Sequence, residues 1–138
     1  MEFVNNPDYP VSELTRDVIA CFYRTFSALG FGFLEAVYRR ALAVELRHAG
    51  LGVEKEVAFE LFHLGEWIGL YRADLIVQQQ LIVEVKTGPS LHPHAILQLL
   101  NYLNVTKLPL GLVLYCGPKP KVKPVIRDSR REYPIIEG

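Results

Sequence analysis

The chain has no surplus of charge. Fifteen Lys or Arg balance fifteen Asp or Glu, for a formal net charge of zero. A protein held to phosphates by bulk charge carries a basic excess, so whole-chain electrostatics do not announce a nucleic-acid binder. Cysteine is scarce. Cys21 and Cys116 stand far apart and neither belongs to a Cys-x-x-Cys pair, which argues against a disulfide framework or a zinc knuckle and fits a reducing cytoplasm. No apolar run reaches the length of about 18 residues that spans a bilayer, and no charged-then-apolar leader opens the chain. Secretion and membrane insertion are therefore not expected. Hydrophobicity itself is not lacking: half the residues are apolar and 22% are charged. That is a globular composition, and 138 residues form most simply one domain, 1–138, with a real core. The charge is uneven in one place. Lys119, Lys121, Lys123, Arg127, Arg130 and Arg131 face only Asp128, so this Pro-rich segment carries +5 and the remainder −5. A solvated tail is the favoured reading, and a phosphate-contacting arm the other.

Read in order, the first ten residues are irregular, with Asn5-Asn6-Pro7 as a turn. Leu14, Val18, Cys21, Phe22, Phe26 and Leu29 recur at helical spacing after a candidate cap at Ser12, and Gly30 ends that helix. A second, mostly buried helix is expected from about Phe33 to Ala49, with Glu35 in its first turn where a carboxylate complements the dipole. Val53–Leu64, Trp67–Val77 and Leu81–Lys86 read as a three-strand meander. Ser90–Thr106 reads as a helix with Pro93 in its first turn. The unbroken apolar run Leu110–Cys116 reads as a strand covered on both faces, making a strand–helix–strand crossover. Val122–Arg127 could add an edge strand.

The stretch from Tyr71 to Lys86 carries the chemistry. Two short Leu/Ile/Val runs flank Gln78-Gln79-Gln80. If the glutamines form the turn, Val77 pairs with Leu81, Ile76 with Ile82, Leu75 with Val83 and Asp74 with Glu84. Alternation then puts Ile82, Glu84 and Lys86 on one face. Like charges directly opposed across an antiparallel pair are destabilising. Two carboxylates so placed among Val and Ile call for a compensating charge, and a hard divalent cation such as Mg²⁺ or Mn²⁺ suits carboxylate oxygen.

The spacing Asp74-x9-Glu84-x-Lys86 is also the pattern of the PD-(D/E)XK nuclease superfamily. Gly32-Phe33-Leu34-Glu35-Ala36-Val37-Tyr38 matches Gly-x-x-Glu-x-x-Tyr. Tyr71-Arg72-Ala73-Asp74 follows at the end of the meander, and Gln98-Leu99-Leu100-Asn101-Tyr102-Leu103 lies on the next helix. Together, from about Leu29 to Cys116, these resemble the GxxExxY family, a small branch of that superfamily. The resemblance implies an α/β restriction-endonuclease-like αβββαβ core: a mixed central sheet flanked by helices, here with an extra N-terminal helix. It implies Asp74 and Glu84 as ligands of Mg²⁺ or Mn²⁺, helped by the Val85 carbonyl, with Glu35 a further ligand, direct or through water. Lys86 would orient the attacking water or stabilise the transition state, and Gln98 would position substrate or water. Ala73 replaces the proline of the superfamily name, and Ala95 stands where a histidine is expected. His92 and His94 lie near, more simply as capping or solvent-exposed residues than as ligands.

The resulting expectation is a metal-dependent nuclease acting on DNA or RNA, cytoplasmic, with nucleic acid as partner and homodimerisation left open. Arg72, Lys119, Lys121 and Lys123 are candidate phosphate contacts, Arg72 through a place opposite Lys86. Tyr38 and Tyr102 are candidate base-stacking residues, though packing is the simpler role for both. Two other readings use the same fold: a nucleic-acid-binding module with little or no turnover, and a protein-interaction domain whose carboxylates serve stability or an interface.

Overall fold

The computed structural model describes residues 11–127 and 136–137. The expected irregular start and the charges of Asp128, Arg130 and Arg131 lie outside them. Helix α1 (Val11–Leu29) and helix α2 (Glu35–His48) precede a meander of β1 (Val53–His63), β2 (Glu66–Val77) and β3 (Leu81–Thr87). Helix α3 (His94–Thr106), β4 (Leu110–Cys116), β5 (Lys121–Ile126) and the two-residue β6 (Ile136–Glu137) complete the order. The sheet runs β5-β4-β3-β2-β1-β6, with β3 and β4 parallel and the other neighbours antiparallel. This mixed sheet with helices on its faces is a restriction-endonuclease-like αβββαβ core extended by α1.

Two clusters of apolar side chains form the core, one on each face. Val18, Phe22, Leu42 and Leu46 of α1 and α2 pack with Leu75, Val77, Leu81, Val83, Val85, Leu112 and Leu114. Leu99 and Leu103 of α3 pack with Tyr71, Ala73, Ile76, Ile82, Val113 and Val125. The unbroken hydrophobicity of β4 follows, since helices cover it on both sides. Gly111 lets α3 approach, because a Cβ there would stand 2.8 Å from Leu99 Cδ2.

Several local expectations hold. Gly30 sits at φ 71° just past α1, and its amide bonds the Phe26 carbonyl at 2.7 Å. Gln78 and Gln79 take positive φ in the turn between β2 and β3. Gln78 then clasps the start of β1, its amide donating to the Gly52 carbonyl at 2.8 Å and its Oε1 accepting from Gly52 N at 2.6 Å. Helix α3 begins at His94 rather than near Ser90, with Pro93 in the capping position. The edge strand β5 forms, six residues paired along β4, with Val125 buried. Pro124 lacks an amide to donate and suits such an edge. The described part of the basic segment is therefore built into the sheet rather than hanging free of it. Strand β6, which pairs with β1 at Glu60 and Leu61, was not foreseen.

The main departure lies at Asp74. Leu75, Ile76 and Val77 pair with Val83, Ile82 and Leu81 as expected, and there the β2–β3 ladder stops. The β1–β2 ladder also skips a step, from Lys55–Leu75 to Val57–Ala73, leaving Glu56 and Asp74 facing each other outside it. Glu56 has φ 52°. The faces swap at the same point: Tyr71 and Ala73 pack under α3, whereas Leu75 and Val77 pack under α1 and α2. The sheet is creased here, and Asp74 lies in the crease.

Candidate active site

With both ladders interrupted, the backbone around Asp74 takes side chains as partners. Asp74 Oδ2 accepts the Val85 amide at 2.8 Å, and the Asp74 amide donates to Glu84 Oε2 at 3.4 Å. The crease brings the two carboxylates together by this reciprocal bonding rather than by simple cross-strand opposition. Glu84 is 8% exposed. Its carboxyl is pushed up to about 8, first by burial and then by the Asp74 charge, against the Tyr71 hydrogen bond and the Lys86 charge that pull it down.

One surrounding side chain, Tyr71, holds Glu84 in place and is itself stacked on Tyr102 and Phe59. The Tyr71 hydroxyl donates to Glu84 Oε1. Burial and the Glu84 charge drive the Tyr71 phenol far above its ordinary value, so it stays a donor. The Tyr71 ring stacks on Tyr102 of α3, centroids 3.5 Å apart and planes 9° apart, and more loosely on Phe59 at 5.9 Å. Tyr102 thus has one ring face occupied by Tyr71, in line with the packing role that the sequence favoured. Tyr71 carries the largest support for Glu84, and sequence reasoning gave it no role. The usable signal was its place three residues before Asp74, but only the crease turns it toward Glu84.

Lys86 lies at the edge of a pocket of about 410 Å³, bounded by Thr87 and Ser90 and, from the α3 side, by His92, His94 and Gln98. Gln98 and Lys86 are thus brought together. His92 Nδ1 accepts the His94 amide at 3.0 Å. That is a capping contact by His92, one of the two roles expected for the histidines. Strand register sets Lys86, Tyr115 and Lys121 side by side across β3, β4 and β5, with Glu84, Val113 and Lys123 in the next row. Lys121 Nζ stands 5.9 Å from the Tyr115 ring centre. Lys119 is exposed in the turn before β5.

Other expectations are corrected. Glu35 is not gathered into a three-acid centre. Among the described residues no group of three or more His, Cys, Asp or Glu is placed to hold a metal ion. Glu35 instead acts on Cys116, whose thiol is pushed up to about 12 by burial and by that charge. Tyr38 is 1% exposed, so no base can stack on it. Its hydroxyl donates to the Gly30 carbonyl and accepts the Phe33 amide at 3.3 Å. In this way it clips the loop at Gly30 and Gly32, both at positive φ, and fixes where α2 starts. Arg72 is not opposite Lys86, because the β2–β3 ladder ends before it. It alternates with Tyr71 and Ala73, away from α3. The cation near Asp74 is Arg39 of α2, which the sequence did not single out.

The donor set fits a divalent cation. The buried Glu84 carboxyl lies beside the half-buried Asp74 and the backbone of Val85, and a hard cation relieves the repulsion between the two acids. Two protein carboxylates leave room for the several waters that Mg²⁺ retains.

The model of the PD-(D/E)XK nuclease superfamily matches residues 12–127. The chain belongs to this superfamily, whose nucleases generally use divalent metals such as Mg²⁺ or Mn²⁺ and act on nucleic acid. Among solved structures, one described as the crystal structure of SSO0001 is similar, with a TM-score of 0.56 and 22% identity. The match covers 67% of this chain and 50% of that one, so the chain spans about half the length of that protein. At this identity the likeness speaks for the fold alone. No curated protein matches the chain. No helix among the described residues is long and apolar enough to cross a membrane.

Proposed function

We propose that this protein is a Mg²⁺- or Mn²⁺-dependent nuclease that hydrolyses phosphodiester bonds in DNA or RNA. The observation that carries the reading is the buried Glu84 carboxyl held against the half-buried Asp74 with Lys86 beside it, two acids whose joint ionisation is costly unless a cation is bound. The cation would supply a nucleophile at neutral pH and offset charge building on the phosphate. Asp74 and Glu84 would hold it with the Val85 carbonyl. Tyr71 fixes the Glu84 carboxylate by its hydrogen bond. Lys86, a point charge with three donors, orients the attacking water and stabilises negative charge in the transition state. Gln98 positions the substrate across the pocket. Lys121 and Lys123 continue the positive face along β5, and Lys119 extends it. This gives a locally basic track on a neutral chain. The Gly32, Glu35 and Tyr38 pattern supports assignment to the GxxExxY branch. There Glu35 and Tyr38 serve through the helix start that Tyr38 clips into place.

The test is cleavage of labelled DNA and RNA with Mn²⁺ or Mg²⁺, beside calorimetric titration of Mn²⁺. Wild type should cleave and bind metal, and Asp74→Asn should do neither. An absent metal response in the wild type, or an equal one in the variant, removes the metal-site assignment. A second reading, a nucleic-acid-binding module on this fold with little turnover, is favoured by one observation. Arg39 already sets a positive charge 3.8 Å from Asp74, and Tyr71 a hydrogen bond on Glu84, without metal. It predicts polynucleotide binding that chelator does not weaken.

A further inference from the structure

Arg39 has two carboxylate partners. Its Nη2 lies 3.3 Å from Glu56 Oε1, and its Nη1 lies 3.8 Å from Asp74 Oδ1. The first is a hydrogen bond; the second is too long for one and acts as an ion pair only. The side chain is 18% exposed, against 54% for Glu56, so Arg39 reaches inward while its tether stands at the surface. Glu56 is a strained position. A non-glycine residue at φ 52° is strained, and such residues persist where their surroundings hold them. It occupies the step where the β1–β2 ladder is interrupted opposite Asp74. The crease that exposes Asp74 to a ligand is thus the same feature that hangs Arg39 beside it.

Arg39 is thus held at Asp74 by charge alone, while its hydrogen bond goes to Glu56. A guanidinium has five donors in a planar fork, matched to the oxygens of a phosphate, and a 3.8 Å contact uses none of them well. A divalent cation bound to Asp74 removes the attraction that parks Arg39 there and repels it from the same oxygen. An anionic phosphate arriving at that cation is then the nearest partner for the fork.

We propose that Arg39 is a substrate-phosphate clamp: parked on Asp74 in the metal-free protein, tethered by Glu56, and turned onto a non-bridging phosphate oxygen of a polynucleotide once a divalent cation takes Asp74. The inference rests on the nuclease reading and adds a binding residue to it. It makes Arg39 a competitor of the metal and an ally of the substrate, so its removal moves the two affinities in opposite directions. A merely structural bridge between α2 and β1 moves both the same way.

The experiment compares wild type, Arg39→Ala and Arg40→Ala. Arg40 is the exposed neighbour on α2 and controls for loss of one positive charge. Mn²⁺ affinity is measured by calorimetry. Polynucleotide affinity is measured by anisotropy, with phosphorothioate-backbone DNA and RNA oligonucleotides in saturating Mn²⁺ over a salt series. For Arg39→Ala we expect Mn²⁺ to bind about threefold tighter or more, and the oligonucleotide about tenfold weaker, with a salt slope shallower by about 0.7 to 0.9. Arg40→Ala should change each affinity less than about twofold. If Arg39→Ala does not fold, Arg39→Lys keeps a charge without the fork and should lower only oligonucleotide affinity. Equal losses in the two alanine variants, or a joint fall in both affinities and in melting temperature for Arg39→Ala, overturn the clamp while leaving the nuclease reading intact. A wild type that binds neither Mn²⁺ nor oligonucleotide overturns both.

Discussion

Replacing Glu84 by Gln should abolish a pH dependence of stability that the wild type carries. Glu84 has an ordinary value of 4.5 and is pushed up to about 8 in the fold, burial being the larger cause and Asp74 the second. The native state therefore holds a proton that the unfolded chain has already released. The stabilisation from this group is fully present below about pH 4.5 and disappears as pH rises through about 8. Each tenfold gain in proton affinity on folding corresponds to about 1.4 kcal/mol, which caps the loss at roughly 5 kcal/mol. Arg39 and Lys86 can turn toward the ionised pair and recover part of it, so about 2–3 kcal/mol is expected between pH 5 and pH 9. Gln has the same shape, still accepts the Tyr71 hydroxyl and never ionises. In chelator, the two proteins should be equally stable near pH 5. Near pH 9 Glu84→Gln should melt higher by about 6–12 °C, at about 3–4 °C per kcal/mol for a domain this size. Any other group that changes charge in this window is common to both proteins and cancels in the difference. Urea melts at four or five pH values measure it directly. A difference between the two proteins that stays constant from pH 5 to pH 9 would refute the reasoning, because it would mean that Glu84 is ionised, or protonated, throughout.

The other outcomes follow from the same geometry. Asp74→Asn should be neutral or stabilising in chelator, because Oδ still accepts the Val85 amide while the repulsion disappears. Asp74→Ala should cost about 1–2 kcal/mol in urea melts, because it orphans that amide. The Mn²⁺-induced rise in melting temperature should be larger at pH 8.5 than at pH 6, since the ligands must lose their proton before they coordinate; a shift independent of pH would place the ion elsewhere. Truncation at Gly117 should unfold or aggregate the protein rather than merely weaken binding, since β5 covers the edge of β4 and buries Val125; a monomeric, native-like circular dichroism spectrum would contradict this. Lys121→Gln with Lys123→Gln should leave the fold intact, weaken oligonucleotide binding and lower its salt slope by roughly 1.4 to 1.8; an unchanged slope would show these lysines to be ordinary solvated surface.

Much of this site could be read before the fold was known, and the reason is local. The three glutamines between two short apolar runs permit one tight turn, and that turn sets Leu75–Val83, Ile76–Ile82 and Val77–Leu81 in register. Three pairs suffice to bring Asp74 and Glu84 to the same end of the hairpin. The helices announced themselves by apolar spacing and glycine stops, and β4 by a continuous apolar run. The roles of Arg39 and Tyr71 and the strand β6 were not readable, because each depends on contacts between elements distant in sequence. Arg39 on α2 looks like any helical surface cation until β1 and β2 are packed beneath it. Tyr71 looks like a core aromatic until the faces of β2 exchange.

That exchange explains why strand pairing foretold the meeting of the two acids but not how they meet. An uninterrupted strand would have placed Asp74 against Glu84 as an ordinary cross-strand pair, both side chains projecting from one face and each amide engaged in the ladder. The crease instead releases the amides of Asp74 and Val85 to the two carboxylates, so each acid is held by the backbone of the opposite strand. A carboxylate fixed by one oxygen on a backbone amide keeps its other oxygen aimed in a set direction, which is what a ligand requires and what a pair of free surface acids lacks. The interrupted ladder is thus the device that turns two like charges, which a regular sheet would tolerate poorly, into a preorganised site. The left-handed backbone of Glu56 stands at that interruption, opposite Asp74.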